Sequence, residues 1–156
     1  MARAEMTLST PIGAVLQVSA DAGEIVGCDF HSRARARSTA VRDPLLREAR
    51  AQIDAYFRKK LRRFDLPLAL HGTPFQIAVW RLVASLEVGE LISYGDVAGA
   101  IGAPLAHRGV AAAMRKTPYD LLIPAHRVIG ADGRIKGAGA NSLRRRLLEF
   151  EGIKIK

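Results

Sequence analysis

Between Met6 and Phe30 the chain alternates short apolar runs with two turn sequences. The turns are Pro11-Ile12-Gly13 and Asp21-Ala22-Gly23-Glu24. Proline and glycine at these points favour tight reversals, and apolar runs of this length are typical of strands rather than helices. The pattern therefore predicts a small antiparallel sheet at the amino-terminal end.

Helical periodicity replaces this alternation from Pro44 onward, where apolar residues fall on one face until about Lys60. A second amphipathic helix begins at Thr73-Pro74, and residues 64–72 are interpreted as an extended linker between two lobes. Strands followed by helices predict an α+β protein. The predicted domains are residues 1–70 and 71–156.

The second lobe has the outline of a helix-turn-helix. Ser93 followed by Asp96 resembles a capping arrangement for a short helix, and a glycine-containing turn separates that helix from one predicted over residues 105–116. An apolar strand is predicted over residues 121–124. A glycine-rich hairpin over residues 130–139 would then form the wing of a winged helix.

The formal net charge of +9 arises from 24 basic and 15 acidic residues. Such an excess attracts polyanions, either nucleic acid or an anionic membrane. No run of about 18 apolar residues occurs and no signal peptide is recognised, so we expect a bacterial cytosolic protein without membrane association. The single cysteine, Cys28, excludes an internal disulfide, and with His31 it offers too few ligands for a closed zinc site. No metal and no cofactor is expected.

Four motifs resemble the O6-alkylguanine-DNA alkyltransferase family in their order and spacing. They are Thr10-Pro11-Ile12-Gly13, the stretch from Gly72-Thr73-Pro74-Phe75-Gln76 to Trp80, Ile92-Ser93-Tyr94-Gly95, and Ile123-Pro124-Ala125-His126-Arg127-Val128. Because the motifs span nearly the whole chain, the resemblance is specific. It implies an amino-terminal ribonuclease-H-like lobe with a small antiparallel sheet and a carboxy-terminal winged-helix lobe that binds DNA.

The last motif departs from the family at one position. Where active members carry the alkyl-accepting cysteine in Pro-Cys-His-Arg-Val, this chain carries Ala125. A methyl side chain has no lone pair with which to attack an alkyl carbon. His126 and Glu151 match the family's activating histidine and glutamate. The resemblance therefore implies an alkyltransferase-like protein that retains the relay, has no catalytic nucleophile and is not an enzyme.

Two further departures bear on the origin of the alanine. Thr117 stands where active members usually carry asparagine, and Ala138-Gly139-Ala140-Asn141 replaces a Tyr-Ser-Gly-Gly loop. A single engineered substitution would not change all three sites. The sequence therefore favours a natural alkyltransferase-like protein over an engineered Cys-to-Ala form of a methylated-DNA-protein-cysteine methyltransferase.

The resemblance also assigns roles in the second lobe. It implies that the helix predicted over residues 105–116 enters the minor groove, that Arg108 fills the gap left by a flipped nucleotide, and that Tyr94 pushes the target phosphate. Without the resemblance, Arg108 would be a solvated arginine, and Met114 is equally consistent with a core position. The predicted DNA-binding residues are Tyr94, Ala106, His107, Arg108, Ala111, Ala112 and Arg115. The predicted lesion pocket is lined by Tyr94, Met114, Ala125, Val128, Gly137, Ala138 and Gly139.

The predicted function is non-enzymatic recognition of O6-alkylguanine in duplex DNA, which marks the lesion for nucleotide excision repair. The predicted partners are lesion-containing duplex DNA and damage-recognition proteins of that pathway, and the chain is expected to be a monomer. One alternative is a hydrolytic enzyme in which His126 and Glu151 activate a water. Another is a winged-helix regulator that reads undamaged sequence, against which the alanine-rich recognition helix argues. The basic segment from Arg33 to Arg37 receives no assigned role.

Overall fold

The computed structural model of the chain describes residues 3–31, 41–133 and 142–154. The chain divides into two units, of which the first contains Met1–Leu70 and Pro118–Asp120 and the second contains His71–Thr117 and Leu121–Lys156. The short segment 118–120 thus belongs with the first unit, and the contiguous division at residue 70 stays a prediction.

A three-stranded antiparallel sheet forms the centre of the first unit. Its strands, in the order β1-β2-β3, are β1 (Ala4–Ser9), β2 (Val15–Asp21) and β3 (Glu24–His31). Gly13 and Gly23 in the connecting turns have φ angles of 82° and 80°, which glycine adopts without steric cost. The predicted amino-terminal sheet is confirmed.

Helix α1 (Pro44–Phe57) packs on β1 and β2. It begins where Asp43 Oδ1 accepts a hydrogen bond from Leu46 N–H at 3.0 Å. The helix ends earlier than the predicted Lys60, because Lys59 has a left-handed φ of 62° that cannot continue an α-helix. Its buried face consists of Leu46, Ala49, Ile53 and Tyr56.

Two further segments of the first unit attach to β3. The predicted linker is partly paired with the sheet, since Ile25 N–H donates to Pro67 O at 2.8 Å and Ala69 N–H donates to Ile25 O at 3.0 Å. Segment 118–120 is held by a 2.7 Å hydrogen bond from Asp120 N–H to Cys28 O. Both contacts use backbone groups that the sheet leaves available.

The described part of the second unit contains four α-helices, a 3₁₀ helix and two short strands. They are α2 (Pro74–Ala84), β4 (Ile92–Ser93), α3 (Tyr94–Ala100), α4 (His107–Arg115), the 3₁₀ helix (Ala125–Arg127), β5 (Val128–Ile129) and α5 (Leu143–Phe150). Strands β4 and β5 pair in parallel. The α+β architecture, with a carboxy-terminal unit built on helices, is confirmed.

Side-chain caps begin several of these helices. Ser93 Oγ accepts a hydrogen bond from Asp96 N–H at 3.0 Å, which confirms the predicted cap of α3. Thr73 and Gln76 form a reciprocal capping box at α2. Helices α3 and α4 pack on each other and on α2. The predicted pair of helices joined by a tight turn is therefore present.

The strand predicted over residues 121–124 is wrong. The segment is a turn, in which Leu121 has a φ of 65°, and all four of its residues are buried. Its apolar character reflects burial rather than pairing, and apolar content alone does not distinguish the two. Most of the predicted hairpin over residues 130–139 lies outside the described residues. No helix within the described ranges is both long and apolar enough to span a bilayer.

Two glycines in the second unit should respond to alanine in opposite ways. A Cβ at Gly72 would lie 2.7 Å from Gln76 Oε1 and 2.9 Å from Cζ3 of Trp80, whose indole is held by a 3.0 Å hydrogen bond to Ala113 O. Gly72→Ala should therefore destabilise the protein by about 1–3 kcal/mol in urea unfolding. Gly99→Ala adds a Cβ to α3 that meets no atom within 4 Å and should stabilise by about 0.5–1 kcal/mol. Stability changes of the same sign in the two variants would contradict this packing.

Candidate functional site

Position 125 lies at a bend that brings the chain out of a buried segment. Ala125 is the first residue of the 3₁₀ helix and is partly exposed, whereas the four residues before it and the three after it are buried. The bend is closed by hydrogen bonds from Ala125 N–H to Ile123 O at 2.7 Å and from Arg127 N–H to Pro124 O at 2.9 Å. A ligand can therefore reach position 125 although its neighbours are shielded.

A buried hydrogen-bonded cluster lies directly behind this position. His126 Nε2 is 2.6 Å from Glu151 Oε2, and the two side chains are only 2% and 1% exposed. Arg127 donates to the same carboxylate twice, from Nε to Oε1 at 2.9 Å and from Nη2 to Oε2 at 3.0 Å. This bidentate geometry satisfies both charges, which burial alone would strongly disfavour.

Arg127 is a further member of the cluster, and its role was not among the predictions from the sequence. Its Nη1 also donates to Leu86 O at 2.8 Å, just beyond the end of α2. A signal for this role was present, because an arginine within an apolar motif is rarely buried without a charged partner. The sequence did not show that this partner would be Glu151.

The environment of His126 determines which of its nitrogens carries a proton. Burial lowers the pKa of His126, with further lowering from the Arg127 and Arg144 guanidinium groups, while the hydrogen bond to Glu151 opposes the shift. The imidazole is therefore neutral near pH 7. Because the carboxylate of Glu151 accepts at Nε2, that nitrogen holds the proton and Nδ1 holds the lone pair. His126 can accept a proton through Nδ1.

Cys28 does not replace the missing thiol. It is fully buried in β3 of the first unit, and this burial raises the pKa of Cys28, as do the carboxylates of Asp120 and Asp29. A thiol in such surroundings is not ionised and is a poor nucleophile. The sequence-based interpretation of Cys28 as a small core residue agrees with its position.

Helix α4 has two distinct faces. Val110, Ala113 and Met114 are buried. At helical spacing, Arg108 and Arg115 lie on the opposite face with two small residues, Ala111 and Ala112, between them. Both arginines and His107 are exposed, while Ala106, Ala111 and Ala112 are partly exposed. The outward face thus carries small side chains at its centre and an arginine at each end.

The remaining predicted site residues occupy different environments. Tyr94, the first residue of α3, is 8% exposed and follows β4, whose Ser93 pairs with Ile129 of β5. This pairing places the start of α3 beside the strand that follows His126 and Arg127. Val128 and Met114 are buried core residues of the second unit, and Gly137, Ala138 and Gly139 lie outside the described residues. The roles of these residues in DNA and lesion binding stay predictions.

Comparisons with known proteins identify the same architecture. A family model described as 6-O-methylguanine DNA methyltransferase, DNA binding domain, matches residues 74–153, and one described as its ribonuclease-like domain matches residues 5–70. The methylated-DNA-protein-cysteine methyltransferase of Methanosarcina barkeri is 43% identical over 106 residues, which are 67% of this chain and 67% of that protein.

Solved structures of a mycobacterial protein are similar along almost the whole chain. The Mycobacterium tuberculosis O6-methylguanine methyltransferase gives a TM-score of 0.76 at 35% identity, covering 96% of this chain and 93% of that one. The Mycobacterium tuberculosis OGT in complex with DNA gives 0.77 at 35% identity, covering 95% and 92%.

These comparisons show that one sequence-based conclusion is wrong. The chain was predicted not to be an enzyme, yet the relatives that match it are named as methyltransferases. The prediction depended on a single residue, Ala125, whereas the similarity extends over both units. His126 and Glu151 lie within the span that the DNA-binding-domain model matches.

The Glu151 carboxylate should be the most sensitive group of the second unit. Glu151→Gln would leave the buried Arg127 cation without its counter-charge and would turn an amide N–H toward donors of Arg127 or His126. We expect a loss of about 3–5 kcal/mol in urea unfolding. Glu149→Gln, at an exposed position of α5, should change stability by less than about 0.5 kcal/mol. Equal losses in the two variants would show that the ion pair contributes no special stability.

Proposed function

Because this chain belongs to the 6-O-methylguanine DNA methyltransferase family, we propose that it binds O6-alkylguanine in duplex DNA and brings the alkyl group to position 125. In this proposal the chain is the Cys-to-Ala form of a methylated-DNA-protein-cysteine methyltransferase. One observation carries it, namely the buried hydrogen bond of 2.6 Å between His126 and Glu151 beside a partly exposed Ala125.

The relay is more than a means of neutralising a buried arginine. The carboxylate of Glu151 already satisfies Arg127 through two hydrogen bonds. A third, to His126, fixes the imidazole tautomer and leaves Nδ1 as a base next to a residue that a ligand can reach. A neutral histidine held in this way suits removal of a proton from a thiol at position 125.

A thiol at this position would complete the transfer chemistry. Its proton passes to the His126 relay, and the thiolate attacks the alkyl carbon on O6 of guanine. The sulfur–carbon bond forms as the carbon–O6 bond breaks. Guanine leaves with the bonding electron pair and takes up one proton, and the protein keeps the alkyl group as a thioether.

The outward face of α4 supports binding to DNA. Alanines between Arg108 and Arg115 allow the helix to approach a groove closely, and the arginines provide cations for the phosphates or for the space left by a flipped base. The Mycobacterium tuberculosis relative that is similar over 95% of this chain was solved in complex with DNA. O6-alkylation disrupts base pairing, which lowers the cost of flipping the damaged nucleotide.

Restoring the thiol should restore the transfer. We expect Ala125→Cys to take up one methyl group per protein from a duplex that contains O6-methylguanine, measured by mass spectrometry of the protein and by loss of the lesion from the DNA. The reason is that the cysteine would be placed beside a preformed base.

Two variants serve as controls for this experiment. Ala125→Ser introduces a side chain similar in shape to cysteine, but its hydroxyl is a much weaker nucleophile than a thiolate. This variant should gain no alkyl group. Ala125→Cys combined with His126→Gln should transfer at least about 10²-fold more slowly, because proton removal is lost. If Ala125→Cys binds the lesion but remains unmodified, position 125 is not the acceptor site.

Arg108 should contribute to lesion recognition itself. If its side chain fills the gap left by the flipped nucleotide, Arg108→Ala should lower affinity for the lesion duplex about tenfold or more in fluorescence anisotropy, with a smaller effect on the undamaged duplex. Arg115→Ala, on the same face of α4, should lower the affinity for the lesion duplex and for the undamaged duplex by the same factor. Unchanged lesion affinity after Arg108→Ala would rule out this flipping arrangement.

A further inference from the structure

The segment that follows α1 carries a dense cluster of cations. Residues 58–63, here called the 58–63 loop, read Arg-Lys-Lys-Leu-Arg-Arg, and no acidic residue occurs between Asp54 and Asp65. All five basic side chains are exposed, and Leu61 is partly exposed. The loop belongs to the first unit, whereas the relay and α4 belong to the second.

The ends of the loop are firmly held. Gln52 on α1 binds the backbone of Asp65 twice, accepting from its N–H at 2.8 Å and donating to its carbonyl at 2.9 Å. The ring of Phe64 lies 5.5 Å from that of Tyr56 on α1. Because its ends are fixed on a helix, the loop presents its cations in a restricted arrangement, which reduces the entropy lost on binding.

One of these cations occupies a backbone conformation that favours glycine. Lys59 has a φ of 62°, and its N–H donates to Tyr56 O at 3.0 Å, as in a helix termination where glycine is the usual residue. A non-glycine residue in this region is strained, and such strain often marks a functional position. The backbone conformation favours glycine, but the chain has a lysine here, whose charge adds to the cluster.

We propose that the 58–63 loop binds the phosphate backbone of duplex DNA and forms a second DNA-contacting surface, separate from α4. Five long and exposed cationic side chains within six consecutive residues match a polyanion, because a chain of phosphates can contact several of them at once. The chain belongs to a DNA-repair family, so duplex DNA is the polyanion we assign to it. The inference goes beyond lesion recognition and does not depend on it.

Phosphate contacts have a measurable signature. Each contact releases condensed counterions, so the logarithm of the binding constant falls with the logarithm of salt concentration by about 0.9 per phosphate contacted. Such contacts do not read base sequence or damage. Removing cations from the loop should therefore reduce the salt dependence and leave the preference for a lesion unchanged.

The test compares two triple variants of equal charge. Arg58→Gln/Lys60→Gln/Arg63→Gln removes three loop cations. The control, Arg42→Gln/Arg47→Gln/Arg50→Gln, removes three exposed cations, of which one precedes α1 and two lie in its first half. Binding to undamaged duplex is measured by fluorescence anisotropy between about 50 and 200 mM salt. The loop variant should lower the salt slope by about two to three and the low-salt affinity about tenfold or more, while the control keeps the original slope.

Lys59→Gly is a second variant, which removes one cation without disturbing the backbone conformation. Glycine adopts the φ of Lys59 without strain, so this variant should fold normally and lower the salt slope by about one. An unchanged slope in both loop variants would overturn the proposal. An equal loss in the control triple variant would overturn it too, because net charge alone would then explain the effect.

The same proteins separate this proposal from the others. If the loop variant loses binding to anionic phospholipid vesicles but not to DNA, the loop is a membrane surface and the proposal is wrong. With an O6-methylguanine duplex, the loop variant should lose affinity by the same factor as with undamaged DNA. If the parent chain shows no lesion preference while the loop variant still changes the slope, lesion recognition fails and the loop proposal stands.

Discussion

The bidentate ion pair between Arg127 and Glu151 is the contact on which the second unit depends. The two side chains are buried, so each charge is tolerated only because the other lies against it. Arg127 belongs to the 3₁₀ helix, Glu151 is the residue that follows α5, and a further hydrogen bond joins Arg127 to Leu86 beyond α2. Three segments distant in sequence are thereby held in one geometry.

Position 125 takes its properties from this arrangement. The ion pair orients the carboxylate that binds His126 Nε2, and burial keeps the imidazole neutral by lowering the pKa of His126. The adjacent bend leaves Ala125 partly exposed. The base and its shielded environment therefore depend on the ion pair, whereas the accessibility of position 125 depends on the bend. In the proposed function these features together would activate a thiol.

Helix α4 combines the requirements of folding and binding in one short element. Its inner face is buried, and a hydrogen bond of 3.0 Å from Trp80 Nε1 to Ala113 O joins it to α2. Its outer face carries small residues between two arginines. The same helical periodicity that buries the inner face thus leaves the outer face for the DNA contact of the proposed function.

The sequence by itself determined the amino-terminal sheet and most of the helices, and it indicated two side chains of the relay. Turn glycines predicted the sheet, the Ser93 cap predicted the start of α3, and the family resemblance indicated His126 and Glu151. These signals are local or follow from a family motif, so they can be read without coordinates. The family is shown by similarity over both units to proteins named as methyltransferases, whereas Ala125 determines only which side chain lies at the acceptor position.

Tertiary structure decided how distant groups meet. Apolar residues 121–124 form a buried turn rather than a strand, because burial and strand pairing favour the same residue types. Only the folded chain showed that Arg127 shares the carboxylate of Glu151, and that Gln52 holds Asp65 at the end of the basic 58–63 loop. The Arg127 contact forms because a buried charge must be paired, and the Gln52 contact forms because the fold brings Asp65 beside α1. No local sequence pattern identifies either partner.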